Sequence, residues 1–453
     1  MQSPSSILRI QISDNLTEFP RHVFEQAESL EILDLSNNQL TELPDDLDRL
    51  LNMRILFLSN NQFTSIPAVL ARCPKLEMIS FKSNQLAQVG ENVLPVDTRW
   101  LILTDNKLAK LPDSMGRLHR LQKLALAGNR LTALPASMAD CHNLELARLS
   151  ANDLAEMPDW LFQLPKLAWL AFSGNDFNRY SEKDVATTEA ELQAESVSTV
   201  GSVALQDIEL GELIGEGASG FIYRARWINQ PSSLLGTSED IAVKIFKGSI
   251  TSDGYPQDEL DCCLTAGEHS HLIKVVAQLD QKDKDKKLGL VMELISTDFF
   301  NLGLPPSLKT CTRDTFLAET QYSIDQVGKI ILGIAGTLKH LHENEISHGD
   351  VYAHNTMINH QARVLLGDFG AATNLMTLPL VQREAMGAIE IRAVGCLLED
   401  ILTQVDKNNV EVNSHEKVKR LSDLAIKCMQ TDLQRRPSFY ELIESLMTIN
   451  NGV

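Results

Sequence analysis

A repeated pattern of apolar residues fills the first 178 residues and restricts their fold more than any other feature of the chain. Each copy is mostly apolar at its first, fourth, sixth and eleventh positions and carries an asparagine at its ninth, as from Leu30 to Leu40. The copies begin at Leu30, Met53, Leu76, Thr98, Leu121, Leu144 and Leu167, at a spacing of 23 residues with one interval a residue shorter. Because one copy cannot bury its apolar face alone, such copies must stack on one another.

The order of residue types within a copy indicates a short strand followed by an irregular return. Apolar residues at alternating positions point inward, and an asparagine such as Asn38 lies where the strand turns, where its amide can bond the backbone of the adjacent coil. Prolines such as Pro44 follow the fourth apolar position and disfavour long helices. The pattern resembles the leucine-rich repeat, which implies a solenoid of horseshoe shape that binds proteins. An all-helical solenoid is the alternative, and the strand core argues against it.

One column of the repeat points away from the predicted core into the hollow of the horseshoe. All of its members are apolar except Lys123. The seven are Ile32, Ile55, Met78, Trp100, Lys123, Leu146 and Trp169. An apolar stripe of this length is typical of a contact surface. We therefore expect a partner protein, or the second half of this chain, to bind there with Trp100 and Trp169 as anchors. A wider core, or a linker folded over the stripe, is the alternative.

Composition limits the partners and the compartment. The net charge of −19 argues against nucleic acid or an anionic membrane surface as the main partner. The chain begins without a signal-peptide pattern, and no apolar run is long enough to span a bilayer. Its seven cysteines are scattered without metal-ligand spacing, which indicates free thiols in a reducing compartment. We expect a cytoplasmic protein.

The repeat pattern ends near residue 178 and the composition changes twice after it. Residues 179–206 are polar and acidic and predict a linker, with a cap for the last repeat as the alternative. Residues 207–453 carry strand-like and helix-like segments without a repeat and form the predicted second domain.

A glycine-rich stretch opens this second domain. Gly215, Gly217 and Gly220 form a Gly-x-Gly-x-x-Gly pattern, and Ile222 continues as a strand, whereas a dinucleotide-binding turn would open a helix. The next strand-like segment, Ile-Ala-Val-Lys, ends at Lys244. Glycines let the backbone approach phosphates closely, and a lysine neutralises phosphate charge, so the two features together predict a nucleotide site.

Three polar side chains further along have the spacing that phosphoryl transfer requires. Asp350 is followed five residues later by Asn355 and eighteen residues later by Asp368, which opens Asp-Phe-Gly. The reaction needs a carboxylate that takes the proton of the attacking hydroxyl, and an amide and a second carboxylate that hold Mg²⁺ on the phosphates.

These motifs resemble the protein kinases, and the resemblance extends over residues 208 to about 448. It implies a two-lobed, α+β kinase-like fold after the α/β repeat solenoid, with ATP and Mg²⁺ as cofactors and a protein as substrate. It further implies Asp350 as catalytic base, Asn355 and Asp368 as metal ligands, and Lys244 held by Glu259 in preference to Glu268. A pseudokinase that only binds nucleotide, and a small-molecule phosphotransferase, are the alternatives.

The resemblance also implies which residues surround the nucleotide. Met292 would stand at the back of the adenine pocket, and backbone groups of Glu293 to Ile295 would meet the adenine edge. The full predicted set is Ile214, Gly215, Glu216, Gly217, Ala218, Ser219, Gly220, Ile222, Ala242, Lys244, Glu259, Met292, Glu293 and Ile295.

Several positions depart from the kinase pattern. Gly349 replaces the usual arginine before Asp350, and Glu390 follows Asp368 by only 22 positions, about a dozen fewer than in the family pattern. Both features predict an enzyme without a phosphorylation switch. Tyr352 and His354 stand where serine/threonine and tyrosine kinases differ, so specificity stays open, with serine and threonine preferred.

Overall fold

The computed structural model describes residues 8–178, 200–217, 219–234, 238–248, 250–251, 253–280, 287–405 and 412–451. The chain divides into two compact units, Met1–Leu167 with Asn175–Phe177 and Ala168–Gly174 with Asn178–Val453. Most of the predicted linker lies outside the described residues, so its boundaries stay a prediction. The short segment 168–174, although it belongs to the seventh repeat in sequence, clusters with the second unit.

Short parallel strands, one from each repeat, form the first unit. They are β1 Leu8–Gln11, β2 Leu30–Asp34, β3 Ile55–Phe57, β4 Met78–Ser80, β5 Trp100–Ile102, β6 Lys123–Ala125 and β7 Leu146–Arg148. Each strand pairs in parallel with the next, in a register that sets equivalent template positions side by side, as Leu33 against Leu56. These inward leucines are fully buried. The predicted leucine-rich-repeat solenoid is confirmed.

The template asparagines form the predicted ladder. Asn61 donates through Nδ2 to the carbonyl of Leu58 in its own coil at 3.1 Å and to that of Leu35 in the preceding coil at 2.9 Å. Its Oδ1 accepts from the backbone N–H of Leu40 at 2.9 Å. The buried amide therefore satisfies backbone groups of two coils at once.

Within the described residues 8–178, the returns of the coils contain no long helix, and most of them include a short helical turn. The turns comprise the 3₁₀ turns Arg21–Gln26, Leu47–Arg49, Ala68–Arg72, Asp113–Arg117 and Ala136–Asp140 and the four-residue helix α1, Asp159–Phe162. Proline stands immediately before most of these turns, as Pro67 does before Ala68–Arg72. A proline is tolerated there because the first N–H groups of a helix have no intrahelical partner.

The predicted apolar column is mostly buried. Ile32, Ile55 and Met78 are each less than a tenth exposed and pack into one cluster with the half-buried Trp100. Lys123 Nζ lies 4.2 Å from the centre of the Trp100 ring. The apolar surface that remains open at these positions is therefore smaller than the sequence pattern suggests.

The second unit contains a small lobe built on one twisted sheet. Its strands are β9 Ser202–Val203, β10 Ile208–Glu216, β11 Gly220–Trp227, β12 Asp240–Phe246, β13 Val275–Leu279 and β14 Gly289–Glu293, in the order β10-β11-β12-β14-β13-β9. Inward residues of β12 and β14, such as Ile241, Val243 and Val291, form its core. Helix α2, Pro256–Ala266, lies between β12 and β13 in sequence.

The remainder of this unit is a mostly helical large lobe. Its helices are α3 Ile324–Glu343, α4 Leu380–Leu402, α5 Val412–Cys428 and α6 Phe439–Asn450. Short strands carry the functional loops: β15 Phe300–Asn301, β16 Ile346–Ser347, β17 Thr356–Ile358, β18 Val364–Leu366 and β19 Thr373–Asn374. Strand β8, Trp169–Ala171, belongs to the seventh repeat in sequence. The two-lobed kinase-like fold is confirmed. Among the described residues no helix is long and apolar enough to cross a membrane.

Candidate active site

A buried ion pair joins strand β12 to helix α2. Lys244 Nζ contacts Glu259 Oε1, and the Glu259 side chain is only 3% exposed. Burial lowers the pKa of Lys244, but the negative charges of Glu259 and Asp368 outweigh that effect and raise it above its ordinary value. Burial raises the pKa of Glu259, against the opposing influence of Lys244. Glu268, the alternative partner, pairs with Lys274 at 3.2 Å instead.

The glycine-rich stretch is the turn between β10 and β11. The N–H of Gly217 donates to the carbonyl of Gly220 at 3.0 Å and closes the turn. Lys247 Nζ, after β12, lies 2.6 Å from Glu216 Oε1 and holds the outer side of the turn. Ala218 lies outside the described residues.

A cavity of about 480 Å³ lies beneath this turn. Of the predicted nucleotide residues its wall includes Ile214, Gly215, Gly217, Ser219, Gly220, Ile222, Ala242, Lys244, Glu259, Met292, Glu293 and Ile295, with Asp368 besides. Glu216 is not part of the wall. The wall also contains Val275, Leu290 and Met357, which were not among the predicted nucleotide residues. Met357 could have been predicted from its position two residues after Asn355.

Asp350 and Asn355 meet in the loop between β16 and β17. Asn355 Nδ2 donates to Asp350 Oδ2 at 2.7 Å and to the Asp350 carbonyl at 3.0 Å. The amide nitrogen thus faces the carboxylate, and the amide oxygen is the atom left for a cation. His348 Nε2 lies 2.9 Å from the carbonyl of Gly367, which ties this loop to the residue before Asp368. Neither Asp350 nor Asn355 belongs to the cavity wall.

Gly349 has a backbone that an arginine would strain. Its φ is +71°, and a Cβ atom there would lie 2.5 Å from the carbonyl oxygen of Ala371. Its N–H donates to Glu390 Oε1 at 2.6 Å, while Glu390 Oε2 lies 2.6 Å from His342 Nε2. Burial would raise the pKa of Glu390, but His342 and the Gly349 N–H outweigh it and hold that pKa below its usual range.

A second carboxylate supports the loop from another side. Asp314 Oδ2 accepts the N–H of Ala353 at 3.0 Å, and Asp314 Oδ1 lies 3.5 Å from His354 Nδ1. Burial raises the pKa of Asp314 despite these partners. Next to it, Arg313 pairs with Asp400 of α4 at 2.7 Å. Asp314 was not predicted from the sequence, because it lies in an irregular loop outside every recognised motif.

Comparison with known proteins agrees with this geometry. A family model described as protein tyrosine and serine/threonine kinase matches residues 208–394, and one described as leucine rich repeat matches residues 6–63 and 28–86. The chain carries leucine-rich repeats and a protein kinase domain. The chain matches human "Cyclin-dependent kinase 11A", with 24% identity over 241 residues, 48% of this chain and 28% of the relative.

Two further relatives match over a similar stretch. "L-type lectin-domain containing receptor kinase S.7" of Oryza sativa subsp. japonica is 27% identical over 218 residues, 47% of this chain and 28% of the relative. "Putative neurotrophin receptor LTRK 1" of Lymnaea stagnalis is 26% identical over 224 residues, 48% of this chain and 26% of the relative. The chain therefore spans little more than a quarter of the length of these relatives.

Proposed function

We propose that the kinase domain transfers the γ-phosphate of ATP to protein hydroxyl groups, with serine and threonine preferred. The observation that carries the proposal is a shared cavity wall. Lys244, Glu259 and Asp368 line it. Gly367 of the same wall donates its N–H to the carbonyl of Asn355, whose side chain holds Asp350. A domain that only bound nucleotide would have no physical need for all of these groups. This weighs against a pseudokinase.

Each residue has a defined task in this proposal. Lys244 neutralises charge on the inner phosphates and keeps its proton because Glu259 faces it. Asp350 accepts the proton of the attacking hydroxyl, and the hydrogen bond from Asn355 fixes the direction of that carboxylate. Asp368 Oδ and Asn355 Oδ1 suit Mg²⁺, which prefers oxygen ligands and, when bound, neutralises phosphate charge.

The adenine end of the nucleotide lies, in this proposal, between the two lobes. Ile214, Ile222 and Ala242 cover it from the small lobe, Met292 closes the back, and backbone groups of Glu293 to Ile295 meet its edge. The glycine-rich turn, with Glu216, covers the phosphates. The side chains named around the adenine are apolar apart from that of Glu293, as adenine pockets generally are.

The repeats supply a protein-binding surface in the same proposal. Leucine-rich repeats present their strand face to partners, and the half-buried Trp100 with Lys123 above its ring is the anchor we favour on that face. Trp169, the second anchor expected, belongs to the second unit, which contains the kinase domain, and stacks there on Tyr352. All seven cysteines are free thiols, which supports our inference of a cytoplasmic location.

One assay tests the activity. The purified full chain is incubated with labelled ATP and Mg²⁺, with and without a generic protein acceptor, beside an Asp350→Asn variant. We expect label on protein with the wild-type chain and none with the variant. Nucleotide binding without any transfer would favour the pseudokinase. Transfer to small hydroxyl compounds but never to protein would favour the small-molecule phosphotransferase.

A further inference from the structure

A segment of the seventh repeat, Ala168–Gly174, lies within the kinase unit and contacts the loop that carries Asp350. Trp169 Nε1 donates to the carbonyl of Val351 at 3.0 Å. The Trp169 ring stacks on Tyr352 with a centroid distance of 4.6 Å and an interplanar angle of 6°. Trp169 is 2% exposed and Tyr352 is 3% exposed. The two residues that follow the proposed base are therefore covered by this segment.

The same segment contacts the stretch after Asp368. The N–H of Phe172 donates to Thr373 Oγ1 at 3.3 Å. Thr373 lies in β19, which pairs with β16 directly ahead of the Asp350 loop. A Cβ atom at Gly349 would lie 3.0 Å from the Leu170 carbonyl oxygen, so the segment also approaches the backbone beside Asp350.

A third contact reaches helix α2. Gly174 has a φ of +69°, and a Cβ atom there would lie 2.5 Å from Cδ2 of Tyr255, the residue that precedes α2. Helix α2 carries Glu259, the partner of Lys244. One segment of seven residues thus touches three elements: the loop between β16 and β17 that carries Asp350, here called the base loop, the stretch after Asp368, and helix α2. Phosphoryl transfer requires these three elements to be correctly placed relative to one another.

The kinase domain has a physical need for such a segment. Only eleven residues separate Asp368 from the start of α4 at Leu380, so little chain is available there to cover the base loop. A phosphate on that stretch would also find no arginine at position 349 to receive it. The base loop is nevertheless packed, and Trp169 supplies an indole ring and a hydrogen-bond donor at the site.

We propose that Ala168–Gly174 is a positioning segment that fixes the loop of Asp350, with Trp169 as its principal residue. The short stretch after Asp368 has too few residues to do this itself. Trp169 acts through Val351 and Tyr352 to fix the backbone on which Asp350 stands. The inference rests on the proposed kinase activity. It makes correct placement of the base depend on Trp169, which lies 182 positions before Val351 in the chain, rather than on phosphorylation.

The test compares two variants of the full chain. Trp169→Ala removes the ring and the donor, and Trp169→Phe keeps a ring but removes the Nε1–H. Trp160→Ala, a half-buried tryptophan of the first unit, is the matched control. Turnover and the KM for ATP are measured together with hydrogen exchange at the backbone amides of residues 351–355.

We expect turnover to fall by roughly tenfold to a hundredfold in Trp169→Ala and less in Trp169→Phe, with an unchanged KM for ATP, because a small misplacement of a catalytic group is costly. Exchange at residues 351–355 should be faster in both variants and unchanged in Trp160→Ala. Unchanged exchange, or higher turnover in either Trp169 variant, would overturn the proposal. If the wild-type chain transfers no phosphate, the proposed function fails, while the exchange measurement still decides whether Trp169 holds the loop. Trp169→Phe decides the question if Trp169→Ala does not fold.

Discussion

Gly349 donates its backbone N–H to Glu390 Oε1 at 2.6 Å, so the residue before the proposed base is held by the central helix α4. The same carboxylate lies 2.6 Å from His342 Nε2 on α3. Glu390 therefore connects two helices of the large lobe to the loop of Asp350. The usual arginine is absent at position 349, and the glycine makes this contact through its backbone alone.

Gly349→Ala should destabilise the kinase domain and lower its turnover. A Cβ atom would lie 2.5 Å from the carbonyl oxygen of Ala371, and a left-handed backbone costs a residue with a side chain about 1–2 kcal/mol. Urea unfolding and turnover are the measurements. Gly336→Ala on α3, where a Cβ atom meets nothing within 4 Å, should be neutral or slightly stabilising. Equal behaviour of the two variants would contradict the geometry.

Asp368→Asn should abolish phosphate transfer and leave the fold intact. The change removes a negative oxygen ligand with almost no change in side-chain volume, and we expect a loss of at least about 10²-fold in turnover. Turnover and circular dichroism are measured beside Asp423→Asn, which makes the same chemical change at an exposed helical position. Wild-type turnover in a clean preparation of Asp368→Asn would show that the metal ligand is assigned wrongly.

Phosphatase treatment should leave the rate unchanged. Thr373 and Thr377 are the only hydroxyl residues between Asp368 and Glu390, and Thr373 is 0% exposed with its Oγ1 accepting from Phe172. A kinase could phosphorylate Thr373 only after that packing had opened. The rate is measured before and after treatment, with mass spectrometry of the segment. A fall of about tenfold that pre-incubation with ATP restores would mean that a phosphorylation switch exists after all.

Glu390→Gln should cost stability at neutral pH and little in acid. The pKa of Glu390 is held below its ordinary value of 4.5 in the folded protein, so its charge stabilises the fold above that pH. This contribution disappears as the pH falls through the lowered pKa. We expect wild type to exceed the variant by about 1–3 kcal/mol at pH 7 in urea unfolding, with the gap closing below pH 4.5. Exposed Glu416→Gln is the control, and a gap that widened in acid would refute the assignment.

The sequence predicts those parts of the molecule that depend on regular spacing along the chain. Leu33 and Asn38 recur at fixed spacing because each coil repeats the same burial and the same hydrogen bonds. Lys244 and Glu259 lie fifteen residues apart on a strand and the next helix, close enough for spacing to favour the right partner.

The parts that the sequence does not predict depend on tertiary contacts. Asp314 supports the base loop from an irregular loop, and no periodicity or motif surrounds it. Trp169 fits the apolar column of the repeat, and the pattern indicates a contact there with the second half of the chain as one candidate, but it does not single out Val351 and Tyr352 as the partners. Sequence spacing carries no information about such pairs, because only the folded chain brings them together.

The asparagine ladder has a consequence for where the repeats tolerate changes in length. Asn106 bonds the carbonyls of Leu103 in its own coil and Phe81 in the preceding one at 3.0 and 2.9 Å, although the interval between Asn84 and Asn106 is a residue shorter than the others. The missing residue falls in the return, after the strand and its asparagine. Extra residues should therefore be accepted in the returns and rejected between strand and asparagine, so an epitope tag or fluorescent label belongs in a return.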